Sequence, residues 1–170
     1  ITMPEHTCIP DFHAIGPDDR ESIIDLFNYY VENTFAAYPE HKVPYEFFDL
    51  IMEASRGYPA LAVSGTNGDL EGFGMLRPYN PMPAFSHTAE ISYFIRPEMI
   101  GRGLGSLILE RLETGGKERG ISSILAGISS LNEISIRFHR RHGFTECGRF
   151  RNAGKKKELF FDVIWMQKEI

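Results

Sequence analysis

From Ile95 to Leu112 the chain reads Ile-Arg-Pro-Glu-Met-Ile-Gly-Arg-Gly-Leu-Gly-Ser-Leu-Ile-Leu-Glu-Arg-Leu, with glycines at alternate positions just ahead of an apolar repeat. The pattern predicts a strand, a tight turn and an amphipathic helix. Leu104, Ile108 and Leu112 recur at helical spacing. Gly101, Gly103 and Gly105 leave the backbone bare where the helix starts, so N–H groups can converge on an anion at the positive end of its dipole. The expectation is a phosphorylated ligand. The competing expectation is a sharp, tightly packed connection.

Spacing limits which phosphate this is. A dinucleotide fingerprint needs G-x-G-x-x-G near the start of a βαβ unit, whereas these glycines are spaced G-x-G-x-G and fall past the middle of the chain. A P-loop needs Lys and then Ser or Thr after its last glycine, but Gly105 is followed by Ser106 and Leu107. Neither familiar nucleotide site fits.

With 170 residues, 42% of them hydrophobic, the chain suffices for one globular domain with a full core. Its formal charge of −5 argues against a nucleic-acid partner. Basic clusters at Arg137, Arg140 and Arg141, and at Lys155, Lys156 and Lys157, are expected on solvated faces. No apolar run is long enough for a membrane span, and no leader-like segment opens the sequence. Cys8 and Cys147 lack metal-ligand or redox spacing. Two reduced thiols in a cytoplasmic protein is the expectation.

Strands and helices alternate along the chain. A first strand is expected over Phe12–Ile15, followed by turn and cap chemistry in Gly16-Pro-Asp-Asp19. Ile23, Phe27, Tyr30 and Val31 stripe the first helix; Pro44 starts a second, with Phe47, Phe48, Ile51 and Met52 on its buried face. Ala60–Ser64 and Glu71–Leu76 read as a hairpin. Thr88–Ile95 is the strand feeding the glycine turn, Ile121–Ile128 the next strand, and Ile134–His142 a helix stopped by Gly143. Strands near Thr145–Phe150 and Leu159–Gln167 finish the chain. The fold class is α/β (α+β), with antiparallel hairpins at both ends of the sheet.

After Ile121–Ile128 comes Asn132-Glu-Ile-Ser-Ile-Arg-Phe-His-Arg-Arg-His-Gly-Phe144, of the form N-x-x-S-x-x-F-H-x-x-x-G-F. Together with the glycine turn, one helix and one strand upstream, this resembles the GNAT N-acetyltransferases over essentially the whole chain. Those enzymes pair a [QR]-x-x-G-x-[GA] turn with an N-x-x-[AS]-x-x-x-[YFH]-x-x-x-G-F helix. His87–Ile95, Asn132–Phe144 and Gly154–Lys168 are similar to the phosphinothricin and methionine sulfone/sulfoximine acetyltransferases, which share the D-x-x-x-M-Q ending seen at Asp162–Gln167. The resemblance implies a single domain with a central mixed, largely antiparallel twisted sheet flanked by helices, and a splayed strand leading to a pyrophosphate-binding turn.

It also implies chemistry: acetyl-CoA as co-substrate, no metal, a small-molecule amine acceptor of amino-acid type, and a homodimer. Acceptors of other kinds (a polyamine, an aminoglycoside, a protein N-terminus) and a non-catalytic coenzyme-A-binding module stand as alternatives. Backbone groups of Tyr93, Phe94 and Ile95 would pair with the pantetheine arm. Gly101, Arg102, Gly103, Leu104, Gly105 and Ser106 would hold the pyrophosphate, with Asn132 and Ser135 facing the coenzyme. Ile100 departs from the usual Gln or Arg, which implies weakened coenzyme binding, in part compensated by Arg102. Glu90 is the candidate general base, because a carboxylate on an apolar strand is costly to bury. His139, where many relatives place a tyrosine, is the candidate proton donor to the departing sulfur. Arg77 could pair a substrate carboxylate bidentately, while Tyr38, Thr88 and Ala89 would line the acceptor site.

Overall fold

A computed structural model describes residues 10–170; Cys8 lies outside them. Seven strands form one sheet in the order β1-β2-β3-β4-β5-β7-β6. They are β1 (Asp11–Ala14), β2 (Ala60–Ser64), β3 (Leu70–Pro78), β4 (Thr88–Ile95), β5 (Ser123–Ser129), β6 (Thr145–Lys156) and β7 (Leu159–Glu169). The helices are α1 (Arg20–Asn33), α2 (Phe47–Ala54), α3 (Leu104–Glu118) and α4 (Glu133–Arg141). Among the described residues no helix is long and apolar enough to cross a membrane.

Period-two alternation divides the side chains of β4 between two cores. Ala89 and Ile91 join Ile108, Leu109, Leu112 and Phe144 on the face covered by α3 and α4. Phe94 packs on the other face with Phe73, Ile23, Ile24 and Phe48 of β3, α1 and α2. Helix α3 can lie close to the sheet because β3 carries Gly74, where a Cβ would stand 2.9 Å from both Ile108 Cγ2 and Tyr93 Cβ. The expected apolar stripes of α1 and α2 do face the sheet. Helix α2 starts at Phe47, three residues after Pro44; the Tyr45-Glu46 turn between them is closed by a 3.0 Å bond from Phe47 N–H to Pro44 O.

The far end of the sheet departs most from expectation. Strand β6 does not stop near Phe150 but runs to Lys156, past register shifts between Glu146 and Gly148 and between Phe150 and Gly154. Asp162 of β7 holds the second irregularity, accepting from Asn152 N–H at 2.7 Å and from Arg149 Nε at 2.7 Å. The polar run Arg151-Asn152-Ala153-Gly154 has no alternation to mark it as strand. Lys157 and Glu158, both at positive φ (49° and 62°), close the hairpin.

This hairpin also overturns the solvated reading of Lys156. The side chain is fully buried, at 0% exposure. Its ammonium donates to the carbonyls of Val31 at 2.6 Å, Thr34 at 2.8 Å and Ala37 at 2.7 Å. A cation thus closes the C-terminal end of α1, where orphan carbonyls and the negative end of the dipole converge.

Candidate active site

Strand β4 is paired along its whole length with β3 but meets β5 only at Thr88↔Ser123, Ala89↔Ile124 and Glu90↔Leu125. Beyond Glu90 the two strands diverge, β5 following β7 and β4 following β3. The gap is lined by Ser92, Tyr93 and Phe94 on one side and Gly127, Ile128 and Ser129 on the other, with Asn132, Ser135 and His139 of α4 below.

Register decides which backbone groups face the gap. Arg96 N–H bonds Glu71 O and Tyr79 N–H bonds Thr88 O, so even-numbered residues of β4 turn their polar groups toward β3. Tyr93 and Ile95 turn theirs toward the gap. Phe94, opposite Phe73, is corrected by this geometry: its backbone serves the sheet and is not available to a pantetheine arm. Ile95 is available through its N–H alone, because its carbonyl accepts a 2.5 Å bond from Tyr30 Oη. Burial pushes the Tyr30 phenol up to about 12, so it stays a donor.

The strand then turns into α3. Gly101 (φ 81°) and Gly103 (φ 84°) adopt left-handed backbone that only glycine takes without strain. The first bond that closes the helix runs from Leu107 N–H to Gly103 O, which leaves the N–H groups of Gly103, Leu104, Gly105 and Ser106 without a backbone acceptor among the described residues. Such a cradle at a helix N-terminus suits a pyrophosphate. Gly105 has another duty. It is buried, and a Cβ there would stand 3.1 Å from Ile95 Cδ1 and 3.2 Å from Phe138 Cε2, so its missing side chain lets α3 approach β4 and α4. Leu104 anchors its side chain in the core. The Ser106 hydroxyl is turned to His142 Nε2 at 2.8 Å, the other ring nitrogen donating to Phe138 O at 2.8 Å. Ile100 is 48% exposed at the edge of the cradle. An arginine there would reach the bound phosphates with two parallel donors. Ile100→Arg is expected to tighten acetyl-CoA binding about threefold to tenfold; an unchanged Kd by calorimetry would mean that Arg102 and the backbone already compensate.

On α4, Asn132 caps the helix, its Oδ1 accepting from Ser135 N–H at 3.3 Å. That bond explains the N-x-x-S spacing locally, and both residues also line the gap. His139 is 3% exposed. Its Nδ1 lies 2.7 Å from the Ser135 carbonyl, which can only accept, so the proton sits on Nδ1 and Nε2 accepts from Tyr93 Oη at 2.7 Å. Burial lowers its pKa to about 4, against the Ser135 bond, which raises it. A neutral imidazole whose one N–H is committed to a carbonyl cannot donate directly to a sulfur. The expected acid is corrected to a residue that fixes the Tyr93 hydroxyl.

Above the gap, on the α1–α2 side, opens a cleft of about 660 Å³, a size suited to a small ligand. Glu90 and Arg77 sit on its floor as register partners on β4 and β3. They are bonded to each other: Arg77 Nε and Nη2 lie 3.1 and 2.5 Å from Glu90 Oε2. Tyr38 stacks on Phe161 at 5.6 Å and reaches Gly127 O at 3.4 Å, roofing the pair. Burial raises the Tyr38 phenol above its ordinary value. Two expected lining residues are corrected. Ala89 is fully buried on the opposite face, and Thr88, 9% exposed, does not reach the cleft. Trp165, Val163 and Met75 line it instead; as strand residues in apolar runs they carry no signal that separates lining from core. A larger groove of about 1120 Å³ between β1, α2 and α3 contains none of the candidate site residues. Among the described residues no cluster of three or more His, Cys, Asp or Glu side chains could hold a metal ion.

The Acetyltransferase (GNAT) family model matches residues 23–144. The chain is 32% identical over 156 residues to an L-methionine sulfoximine/L-methionine sulfone acetyltransferase of Pseudomonas paraeruginosa, covering 89% of this chain and 90% of that one. It is 29% identical to a phosphinothricin N-acetyltransferase of Streptomyces coelicolor, over 90% of this chain and 92% of that one. Among solved structures it is similar to Salmonella typhimurium yncA with its cofactor acetyl-CoA, at TM-score 0.86 and 28% identity over 95% and 94% of the two chains. A family match that runs from α1 through the Asn132 helix, on a sheet that splays where a coenzyme must enter, means that this chain belongs to the GNAT acetyltransferase family.

Proposed function

We propose that this enzyme transfers acetyl from acetyl-CoA to the amine of a small amino-acid-like acceptor of the methionine sulfone, methionine sulfoximine or phosphinothricin type. The observation that carries this is the cleft: its floor offers one cation, Arg77, and one carboxylate, Glu90, directly above the gap between β4 and β5. An amino acid brings the complementary pair. The named acceptors of the similar acetyltransferases support the class.

Acetyl-CoA supplies a thioester, an acyl group already activated toward amines. Tyr93 and Ile95 offer backbone groups to its arm, and Gly103 to Ser106 offer N–H groups to its pyrophosphate, assisted by Arg102. Asn132 and Ser135 line the same channel. Together these residues hold the acyl carbon within reach of the cleft, which is the positional part of the catalysis. Glu90 takes one proton from the acceptor ammonium. The free nitrogen forms a bond to the acyl carbon, the carbon–sulfur bond breaks with its electron pair on sulfur, and the second nitrogen proton neutralises the thiolate. Met75, Val163 and Trp165 give the exchange an apolar wall. The proposal includes a cytoplasmic enzyme that acts as a homodimer, a pairing the exposed β6 edge, with Phe150 61% exposed, would accommodate.

The test is thiol release from acetyl-CoA with a panel of amines, on wild type and Glu90→Gln. Turnover is expected on an amino-acid analogue and not on spermidine or an aminoglycoside. Glu90→Gln should lower kcat by about 10²–10³-fold with acetyl-CoA affinity retained. An unchanged kcat would remove Glu90 from the reaction. Acetyl-CoA binding without turnover on any amine would favour a non-catalytic module.

A further inference from the structure

Arg77 and Glu90 are the only charged side chains that line the acceptor cleft among the described residues, and each is the other's partner. They are cross-strand neighbours, so the pairing is set by the sheet rather than by a mobile loop. Both Arg77 contacts converge on Oε2 of Glu90. The side chain of Glu90 is 17% exposed and that of Arg77 46%, so the carboxylate is sheltered beneath the guanidinium and an incoming ligand meets the cation first. Phe73 and Met75 are apolar and the Trp165 indole is neutral, so none of them supplies a competing charge around the pair.

We infer that this ion pair is a latch on the general base, opened by the carboxylate of the acceptor. The inference rests on the proposed function above. In the resting cleft the guanidinium neutralises Glu90 and holds its carboxylate through Oε2, on which both contacts converge. A carboxylate entering the cleft has Arg77 as its only cationic partner. In taking the guanidinium it releases Glu90 Oε2 within a desolvated pocket beside the α-ammonium of the same molecule. One guanidinium can hold one carboxylate bidentately at a time, so recognition and base release are one event. Amines without a carboxylate bind with the latch closed. Specificity is then expressed in kcat and not only in KM, since the contact made by the carboxylate governs a step after binding. Arg77 binds the acceptor in this scheme and acts on the proton transfer only through Glu90.

The discriminating experiment compares methionine sulfone with its carboxamide as acceptors, using wild type, Arg77→Met and Glu90→Gln. The carboxamide's amine loses its proton more readily but is a weaker nucleophile, so its kcat in wild type is read against its kcat in Arg77→Met, where the amine is the same and the latch is gone. Wild type is expected to turn over the carboxamide with kcat about tenfold below that for methionine sulfone at saturation. Arg77→Met is expected to raise KM for methionine sulfone by about tenfold or more and to raise kcat for the carboxamide about threefold or more above wild type. A merely structural arginine would not produce that gain. A carboxamide kcat equal to that of methionine sulfone in wild type would overturn the latch. So would a proportional fall of kcat for both acceptors in Arg77→Met. The underlying function fails differently: by absent turnover of both acceptors in wild type, or by full kcat in Glu90→Gln, and either result overturns the latch with it.

Discussion

Lys156→Met is expected to lower the free energy of unfolding by about 3–5 kcal/mol, because it leaves buried carbonyls without the charge that satisfies them. The wild-type ammonium is fully buried and donates to Val31, Thr34 and Ala37. Methionine matches the volume of lysine and donates nothing, so packing is conserved while three acceptors converge on a thioether. For a chain of this size the melting temperature should fall by about 10 °C. Lys155→Met is the control, since Lys155 lies on the exposed side of the same strand, where it pairs with Glu158 and sits over the exposed Phe160 ring; its effect should stay within about 1 kcal/mol. The variant also has a functional signature. The segment that Lys156 ties down leads into Tyr38 over the acceptor cleft, so KM for the acceptor should rise more than KM for acetyl-CoA. Urea unfolding curves within about 1 kcal/mol of wild type would show that water replaces the ammonium.

The second large effect is in pH. His139 has its pKa lowered to about 4 in the folded protein, against 6.5 as the ordinary value, chiefly by burial. In an acid titration the unfolded chain therefore takes up this proton first, near 6.5, while the folded imidazole refuses it until about 4. Between those values the unfolded state binds more protons, so stability falls as pH falls. It is intact above 6.5 and declines by about 3 kcal/mol in total toward pH 4. The groups around the ring are the Tyr93 hydroxyl, Ser135, the rings of Phe138 and Phe144, and His142, which adds repulsion if protonated. None is a carboxylate that would favour the imidazolium. In His139→Gln the slope of unfolding free energy against pH between 4 and 6.5 should flatten, even though the variant is less stable at neutral pH. Parallel curves for the two proteins would show that His139 does not carry the acid sensitivity.

The elements that repeat apolar residues at a regular period were legible in the chain. Strand β4 occupies Thr88–Ile95 as expected, and α4 follows the Asn132 motif with its cap bond in place. Gly101 and Gly103 could be read because positive φ is a local property and glycine is the residue that tolerates it. For Gly105 the bare N–H was legible in the same way, but the contact that leaves no room for a side chain comes from Phe138, far along the chain, and no local pattern names it. The continuation of β6 past Phe150 was hidden for a related reason: its polar groups are satisfied across the hairpin by Asp162 rather than by any pattern of its own.

Local chemistry and periodicity, then, determined the order of elements and the bare glycine turn at the start of α3, and marked Glu90 as a charge on an apolar strand. Those follow from backbone conformation and from the cost of placing charge on apolar strands, both written in short stretches of sequence. Only the tertiary structure decided what each charged or polar group meets. The register of β3 against β4 joins Arg77 to Glu90 and turns the Phe94 backbone away from the gap. The packing of α4 against β4 makes His139 a neutral acceptor for Tyr93, and the long hairpin carries Lys156 into the end of α1. Burial and partnership set protonation and reactivity, and both depend on contacts between segments distant in sequence, which no local pattern records.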